Sequence, residues 1–226
     1  MDVNTFGQYF DHALLKAHAT QKEFKDYCAE GIKYSVKMLA INPAAITFCK
    51  AQVKDTPVLV GAAIGFPLGQ MTLEIKIFET KDAIAKGSDE IDYVMDISAL
   101  KSGDHNYVTE EMKRIVGVCR EKNIVIKVIF ENCYLTDDEK KRMCEIANQV
   151  KPDYIKTSTG FGTGGAVVDD VRLMRAYAEP GIKIKASGGI KTFDDTLQLI
   201  EAGVERIGTS STAAIIEAFI ASKGDN

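Results

Sequence analysis

The sequence predicts a single (β/α)8 barrel, the TIM-barrel class of α/β fold, as one domain over residues 1–226. Three observations carry this. Short β-rich runs alternate with amphipathic helical stretches eight times along the chain, with no break in composition to mark a second domain. Val58–Ile64 is almost wholly apolar, as expected of a parallel strand covered on both faces. An open doubly wound sheet should carry a dinucleotide loop near its start, but the Gly160–Gly165 run is late and lacks GxGxxG spacing.

Tyr9–Leu14 reads as the first strand. Thr20 caps a helix running to about Glu30, with Glu23 completing a capping box and Gly31 ending the helix. Ser35–Ile41 is the second strand, and Pro43 opens the following helix at its first turn. After Val58–Ile64, the loop Gly65–Gly69 leads into a helix from about Thr72 to Lys86. Glu90–Ile97 is the fourth strand, followed by a helix from about Asn106 to Lys122. Ile124–Phe130 is the fifth, with a helix starting at Thr136-Asp137-Asp138-Glu139. Asp153–Thr157 is the sixth, and its helix spans about Val168 to Ala178. Pro180-Gly181 is a turn before the seventh strand, Ile182–Ala186, and its helix, about Thr192 to Ala202. Val204–Gly208 and Ser211–Ala221 are the eighth unit.

Composition excludes several classes. The formal net charge of −4 provides no nucleic-acid footprint. No apolar run approaches a membrane span and no signal peptide is evident, so the expected compartment is the cytoplasm. The five cysteines have no CxxC spacing, which argues against a disulfide framework or zinc knuckle. Of these, Cys133 falls after a strand, where a reactive thiol is conceivable. His12, His18 and His105 form no metal-binding motif.

A barrel of this class places its active site at the C-terminal ends of the strands. Period-two alternation then selects inward side chains. Asp11 and Ala13 share a face of the first strand, with His12 opposite. Asp92, Val94 and Asp96 share a face of the fourth, and Lys127, Ile129 and Glu131 of the fifth. Lys156 ends the sixth strand and Lys185 lies at the end of the seventh, each before a glycine-rich loop. Desolvation lowers a lysine's pKa, and a neutral lysine amine can form a Schiff base with a carbonyl. The alternative is a buried ion-pair cluster without chemistry. The last two loops, Ser187-Gly188-Gly189 and Gly208-Thr209-Ser210-Ser211, suit a phosphate, since glycines admit backbone N–H groups to an anion and serines add donors.

Six stretches carry a resemblance: Asp11–Lys16, Val60–Gly69, Glu90–Asp92, Lys156–Phe161, Lys185–Ile190 and Ile207–Ser211. Together, in order, they resemble the deoxyribose-phosphate aldolase family over nearly the whole chain. The resemblance implies a barrel that reversibly cleaves 2-deoxyribose 5-phosphate to acetaldehyde and glyceraldehyde 3-phosphate, with no metal or organic cofactor. It implies that Lys156 forms the imine, that Lys185 keeps the Lys156 amine neutral by repulsion, and that Asp92 moves protons with Lys185 and a water. Asp11, Gly160, Gly188, Gly189, Gly208, Ser210 and Ser211 are the implied substrate-binding residues. A homo-oligomer, dimer or tetramer, is expected, with a phosphosugar as the small-molecule partner and neither nucleic acid nor membrane.

The chain departs from the family at Ala13, where threonine is usual, and at Ala40, where many members have cysteine. It also stops soon after the last helix, without the longer tail ending in tyrosine that some members fold over the site. Three other readings stay open at this point. They are a Schiff-base lyase with another aldehyde donor, a phosphosugar-binding protein without turnover, and a metal-dependent aldolase.

Overall fold

A computed structural model describes residues 2–224. Eight parallel strands close into a barrel in sequence order, β1 pairing with β8. The strands are β1 (Phe10–Leu14), β2 (Met38–Ile41), β3 (Leu59–Ile64), β4 (Glu90–Val94), β5 (Val125–Ile129), β6 (Tyr154–Lys156), β7 (Lys183–Ser187) and β8 (Arg206–Thr209). Around them lie α1 (Val3–Gly7), α2 (Gln21–Lys33), α3 (Ile46–Val53), α4 (Leu73–Ala85), α5 (Ile97–Lys101) and α6 (His105–Arg120). The ring is completed by α7 (Asp137–Val150), α8 (Val168–Tyr177), α9 (Phe193–Glu201) and α10 (Thr212–Gly224). Among the described residues no helix is long and apolar enough to cross a membrane.

Alternation divides each strand between two environments. Leu39, Val60, Ile91, Val128, Ile155, Ile184 and Ile207 pack into the apolar layer between barrel and helices. His12 faces the same way; it stacks on Tyr27 with ring centroids 4.4 Å apart, and its Nδ1 lies 3.0 Å from Thr212 Oγ1. The inward face carries charge. Contacts across the barrel locate it: Lys127 Nζ on β5 lies 3.6 Å from Met38 Sδ on β2, and Arg206 Nη2 on β8 lies 3.3 Å from Glu90 Oε1 on β4. Gly61 exists for this interior, since a Cβ there would sit 2.2 Å from Met38 Sδ.

Several boundaries differ from the sequence reading. Gly31 does not end α2, which continues to Lys33. A Cβ at Gly31 would lie 2.7 Å from Leu39 Cδ2, so the glycine allows close packing of helix on strand. Ser35 is not strand but a left-handed turn residue (φ 51°), and β2 starts only at Met38. β4 ends at Val94 because Asp96 caps α5, its Oδ1 accepting from the Ala99 N–H at 2.9 Å. Asp96 is therefore not an inward strand residue. Glu131 also lies beyond its strand, in left-handed backbone (φ 58°). The helices α1 and α5 have five residues each, too short to display a helical period.

Candidate active site

Parallel register sets Asp92 beside Lys127 on β4 and β5, and Lys156 beside Lys185 on β6 and β7. Because the barrel is closed, these four side chains converge. Asp92 Oδ2 accepts from Lys156 Nζ at 2.8 Å and from Lys185 Nζ at 2.7 Å, while its Oδ1 accepts from Lys127 Nζ at 2.8 Å. Below them Asp11 accepts from Lys185 and, at 2.5 Å, from Arg206 Nη1; Lys127 also donates to Glu90. All seven groups are buried.

Charge counting shows which of them is the odd one. Lys127, Lys156, Lys185 and Arg206 are four cations, set against the three carboxylates of Asp11, Glu90 and Asp92. Lys127 contacts all three acids, and Lys185 and Arg206 contact two each. Lys156 has only a share in one oxygen of Asp92. A buried cation with so little compensation tends to lose its proton.

The titration behaviour follows this inventory. Burial, the largest cause, lowers the Lys156 amine to about 8; Asp92 pulls it upward, and Lys185 and Lys127 push it further down. At pH 7 that raises its neutral fraction about 300-fold over an ordinary lysine. Burial acts to raise the Asp92 carboxyl, but Lys127, Lys156 and Lys185 hold it well below the usual carboxylate range. Asp11 is likewise held down, against its burial, by Arg206, Lys185 and Lys127. Lys127 and Arg206 remain cations: burial opposes the charge, and their acidic neighbours more than offset it. Repulsion from Lys185 is thus one cause of the Lys156 shift, behind desolvation.

Above this cluster opens a cavity of about 310 Å³, with Lys156 and Lys185 in its wall. Gly160, Gly188, Gly189, Gly208, Ser210 and Ser211, the residues that the resemblance implies for substrate binding, line it too. The glycine loops after β6 and β7 touch. A Cβ on Gly188 would lie 3.1 Å from the Cα atoms of both Gly160 and Gly165, and Gly188 takes a positive φ of 84°. Only glycine accommodates both demands. Gly208 has a second task, since a Cβ there would come within 3.0 Å of Lys185 Cε. Ser210 and Ser211 directly precede α10, so the N-terminal end of a helix faces this side of the cavity.

Asp11 differs from expectation. It is fully buried beneath the cavity and orients Lys185 instead of lining the wall. Asp92 also lies under the floor, reached through the two lysines. Ala13 and Ala40, adjacent in register, both line the cavity. Sequence reasoning missed Glu90 and Arg206, although each lies two residues from a position it chose: Glu90 from Asp92, and Arg206 from Gly208. It also missed Lys16 and Lys191, cationic residues lining the cavity. Among the described residues, no group of three or more His, Cys, Asp or Glu side chains is arranged to hold a metal ion.

The model for the DeoC/LacD family of aldolases matches residues 5–215. The chain belongs to the DeoC/LacD aldolase family. Within it, the deoxyribose-phosphate aldolase of Lactobacillus acidophilus is 50% identical over 217 residues, 96% of this chain and 92% of that protein. The deoxyribose-phosphate aldolase of Thermococcus gammatolerans is 46% identical, covering 96% of each chain. Among solved structures, the tetrameric deoxyribose phosphate aldolase of Aeropyrum pernix superposes with a TM-score of 0.90 at 29% identity, over 96% of this chain and 92% of that one. DeoC/LacD membership thus accompanies a closed barrel with a buried lysine amine in the wall of a cavity lined by glycines and serines.

Proposed function

We propose that this DeoC/LacD aldolase cleaves 2-deoxy-D-ribose 5-phosphate reversibly to acetaldehyde and D-glyceraldehyde 3-phosphate, in the breakdown of deoxyribose phosphate in the cytoplasm. The observation that carries the reading is Lys156. It is a buried amine lowered to about 8, sharing one carboxylate oxygen with Lys185 at one end of a cavity lined elsewhere by the Gly188-Gly189 and Ser210-Ser211 loops.

In this reading the neutral Lys156 amine attacks C1 of the open-chain sugar, and loss of water leaves a protonated imine. That cation is the electron sink for the next step. The C3 hydroxyl gives up its proton, the C2–C3 bond breaks, and its electron pair becomes an enamine on Lys156. Glyceraldehyde 3-phosphate leaves. Protonation of the enamine at C2 and hydrolysis of the imine then release acetaldehyde and restore the amine. Asp92 and Lys185, hydrogen-bonded directly at 2.7 Å, form the proton-handling pair, and a water carries protons between that pair and the substrate. Gly160, Gly188, Gly189, Gly208, Ser210 and Ser211 hold the phosphate. Asp11 supports the site from below by fixing Lys185. Self-association into a dimer or tetramer belongs to the same proposal.

The test is product analysis. Purified protein given 2-deoxyribose 5-phosphate should release acetaldehyde and glyceraldehyde 3-phosphate in equal amounts, and Lys156→Met should release neither. Release of a different aldehyde from other phosphosugars, with deoxyribose 5-phosphate untouched, would move the assignment to another Schiff-base lyase.

A further inference from the structure

Behind the turn that carries Ser210 and Ser211 sits a buried side chain that the lysine chemistry does not use. His12 points away from the barrel interior, and register places it beside Thr209 at the end of β8. Two residues of α2 pin it. Its ring stacks on Tyr27, whose hydroxyl donates to the His12 carbonyl at 2.5 Å. Glu30, three residues beyond Tyr27 and on the same helix face, sets its Oε1 3.3 Å from His12 Nε2. On the other side, Nδ1 lies 3.0 Å from the hydroxyl of Thr212, the first residue of α10, which is itself fully buried.

These surroundings decide which ring nitrogen carries the proton. Burial lowers His12 to about 4, so at pH 7 the ring is neutral and has a single N–H. A carboxylate oxygen beside Nε2 favours the proton there. Nδ1 is then an acceptor, and the Thr212 hydroxyl donates to it. The Thr209 carbonyl, at 3.3 Å, is a second acceptor within reach of that hydroxyl, but the single proton goes to the nearer partner.

Thr212 stands at a sensitive place. The Ile215 N–H donates to the Ser211 carbonyl at 3.1 Å, so the N–H groups of Thr212 and its two successors precede this bond at the open end of the helix. The Ser211 N–H donates to Thr209 Oγ1 at 2.9 Å, and that hydroxyl donates to the Ile190 carbonyl at 2.7 Å, in the loop after β7. Thr209 thus ties the two loops together, and His12 ties the start of α10 to β1. Between the two ties lie Ser210 and Ser211, in the cavity wall. Donors that are already oriented bind an anion more tightly than donors that must be ordered on binding.

We propose that His12 is a positioning residue for the phosphate end of the site. By accepting from Thr212, it holds the first turn of α10 in the orientation that presents Ser210, Ser211 and the helix N–H groups to the substrate's phosphate. The proposal rests on the phosphate reading given above. It makes specificity for a phosphorylated substrate depend on a residue that never touches it. Without His12 the Thr212 hydroxyl can turn to the Thr209 carbonyl, so the loss falls on the orientation of the turn and not on folding.

The test compares kcat/KM on 2-deoxyribose 5-phosphate with kcat/KM on free 2-deoxyribose, in the full chain, with thermal melts alongside. His12→Leu removes the acceptor, and Thr212→Val removes the donor at nearly constant shape. Each should reduce the preference for the phosphorylated substrate by about tenfold, the upper range for one neutral hydrogen bond, with the loss mainly in KM. The double variant should lose no more than the worse single one, since both break the same contact. His12→Asn places an amide oxygen near the position of Nδ1 and should recover most of the preference. A ratio unmoved in both single variants, or an equal fall on both substrates, would overturn the proposal. Additive losses, or a His12→Asn as poor as His12→Leu, would overturn it too. Should His12→Leu fail to fold, Thr212→Val gives the same reading alone. A wild type with no preference for the phosphorylated sugar would overturn the phosphate reading and this inference together. Acetaldehyde trapping on Lys156, which involves no phosphate, separates either failure from a failure of the imine chemistry.

Discussion

Lys185→Met should move the pH at which the protein forms its imine upward by as much as two units. Lys156 Nζ and Lys185 Nζ lie 2.8 and 2.7 Å from the same oxygen, so they are at most about 5.5 Å apart. Two unit charges about 5 Å apart, at an effective dielectric constant near 20, repel by about 3 kcal/mol. That corresponds to about two pKa units. Removing the Lys185 cation also leaves Asp92 with one fewer partner, which strengthens its hold on Lys156. Both effects favour the protonated amine, so the Lys156 amine should rise from about 8 toward its ordinary value. The sign for function follows: an amine with a higher pKa is less nucleophilic at neutral pH, so imine formation at pH 7 should slow markedly. The assay is the rate of borohydride-trapped adduct with acetaldehyde from pH 5 to 11, followed by mass. It reports imine formation apart from later proton transfers. A half-rise near 8 in the wild type and near 10 in Lys185→Met is expected. A half-rise unmoved by the substitution would refute the repulsion and leave burial alone to set the amine.

The other predictions concern the cavity wall. Ser210→Asp places a carboxylate beside the proposed phosphate cradle and should reduce the preference for deoxyribose 5-phosphate over deoxyribose by about tenfold or more. An unaltered ratio of specificity constants would place the phosphate elsewhere. Ala13→Thr restores a hydroxyl to a cavity-lining position. One neutral hydrogen bond is worth about 0.5–1.5 kcal/mol, so kcat/KM on deoxyribose 5-phosphate should rise by at most about tenfold. A fall on that substrate, with a gain on one lacking the 3-hydroxyl, would mean a site adapted to a different acceptor.

The buried cluster of the candidate site was legible because barrel physics is local in one respect. Alternation within each strand, read from its C-terminal end, picked out Asp92, Lys127, Lys156 and Lys185, and closure of the sheet brings them together. What alternation cannot supply is partnership across the barrel. Arg206 meets Glu90 only because β8 and β4 face each other across the interior, and nothing in either strand announces the other. For the same reason Asp11 read as a substrate ligand, when its neighbours Lys185 and Arg206 make it a buried support. Gly31 misled because one residue type serves two ends. Glycine can end a helix, and here it lets α2 approach Leu39. Asp96 extended a strand on paper while its side chain was already capping the next helix.

The most direct measurement is to trap acetaldehyde on the protein with borohydride and map the modified residue by peptide mass spectrometry. The account predicts a single ethyl group on Lys156, the amine lowered to about 8, and none on Lys185, which is tied to both Asp11 and Asp92. An ethyl group on Lys185 or on a surface lysine, with Lys156 unmodified, would contradict it.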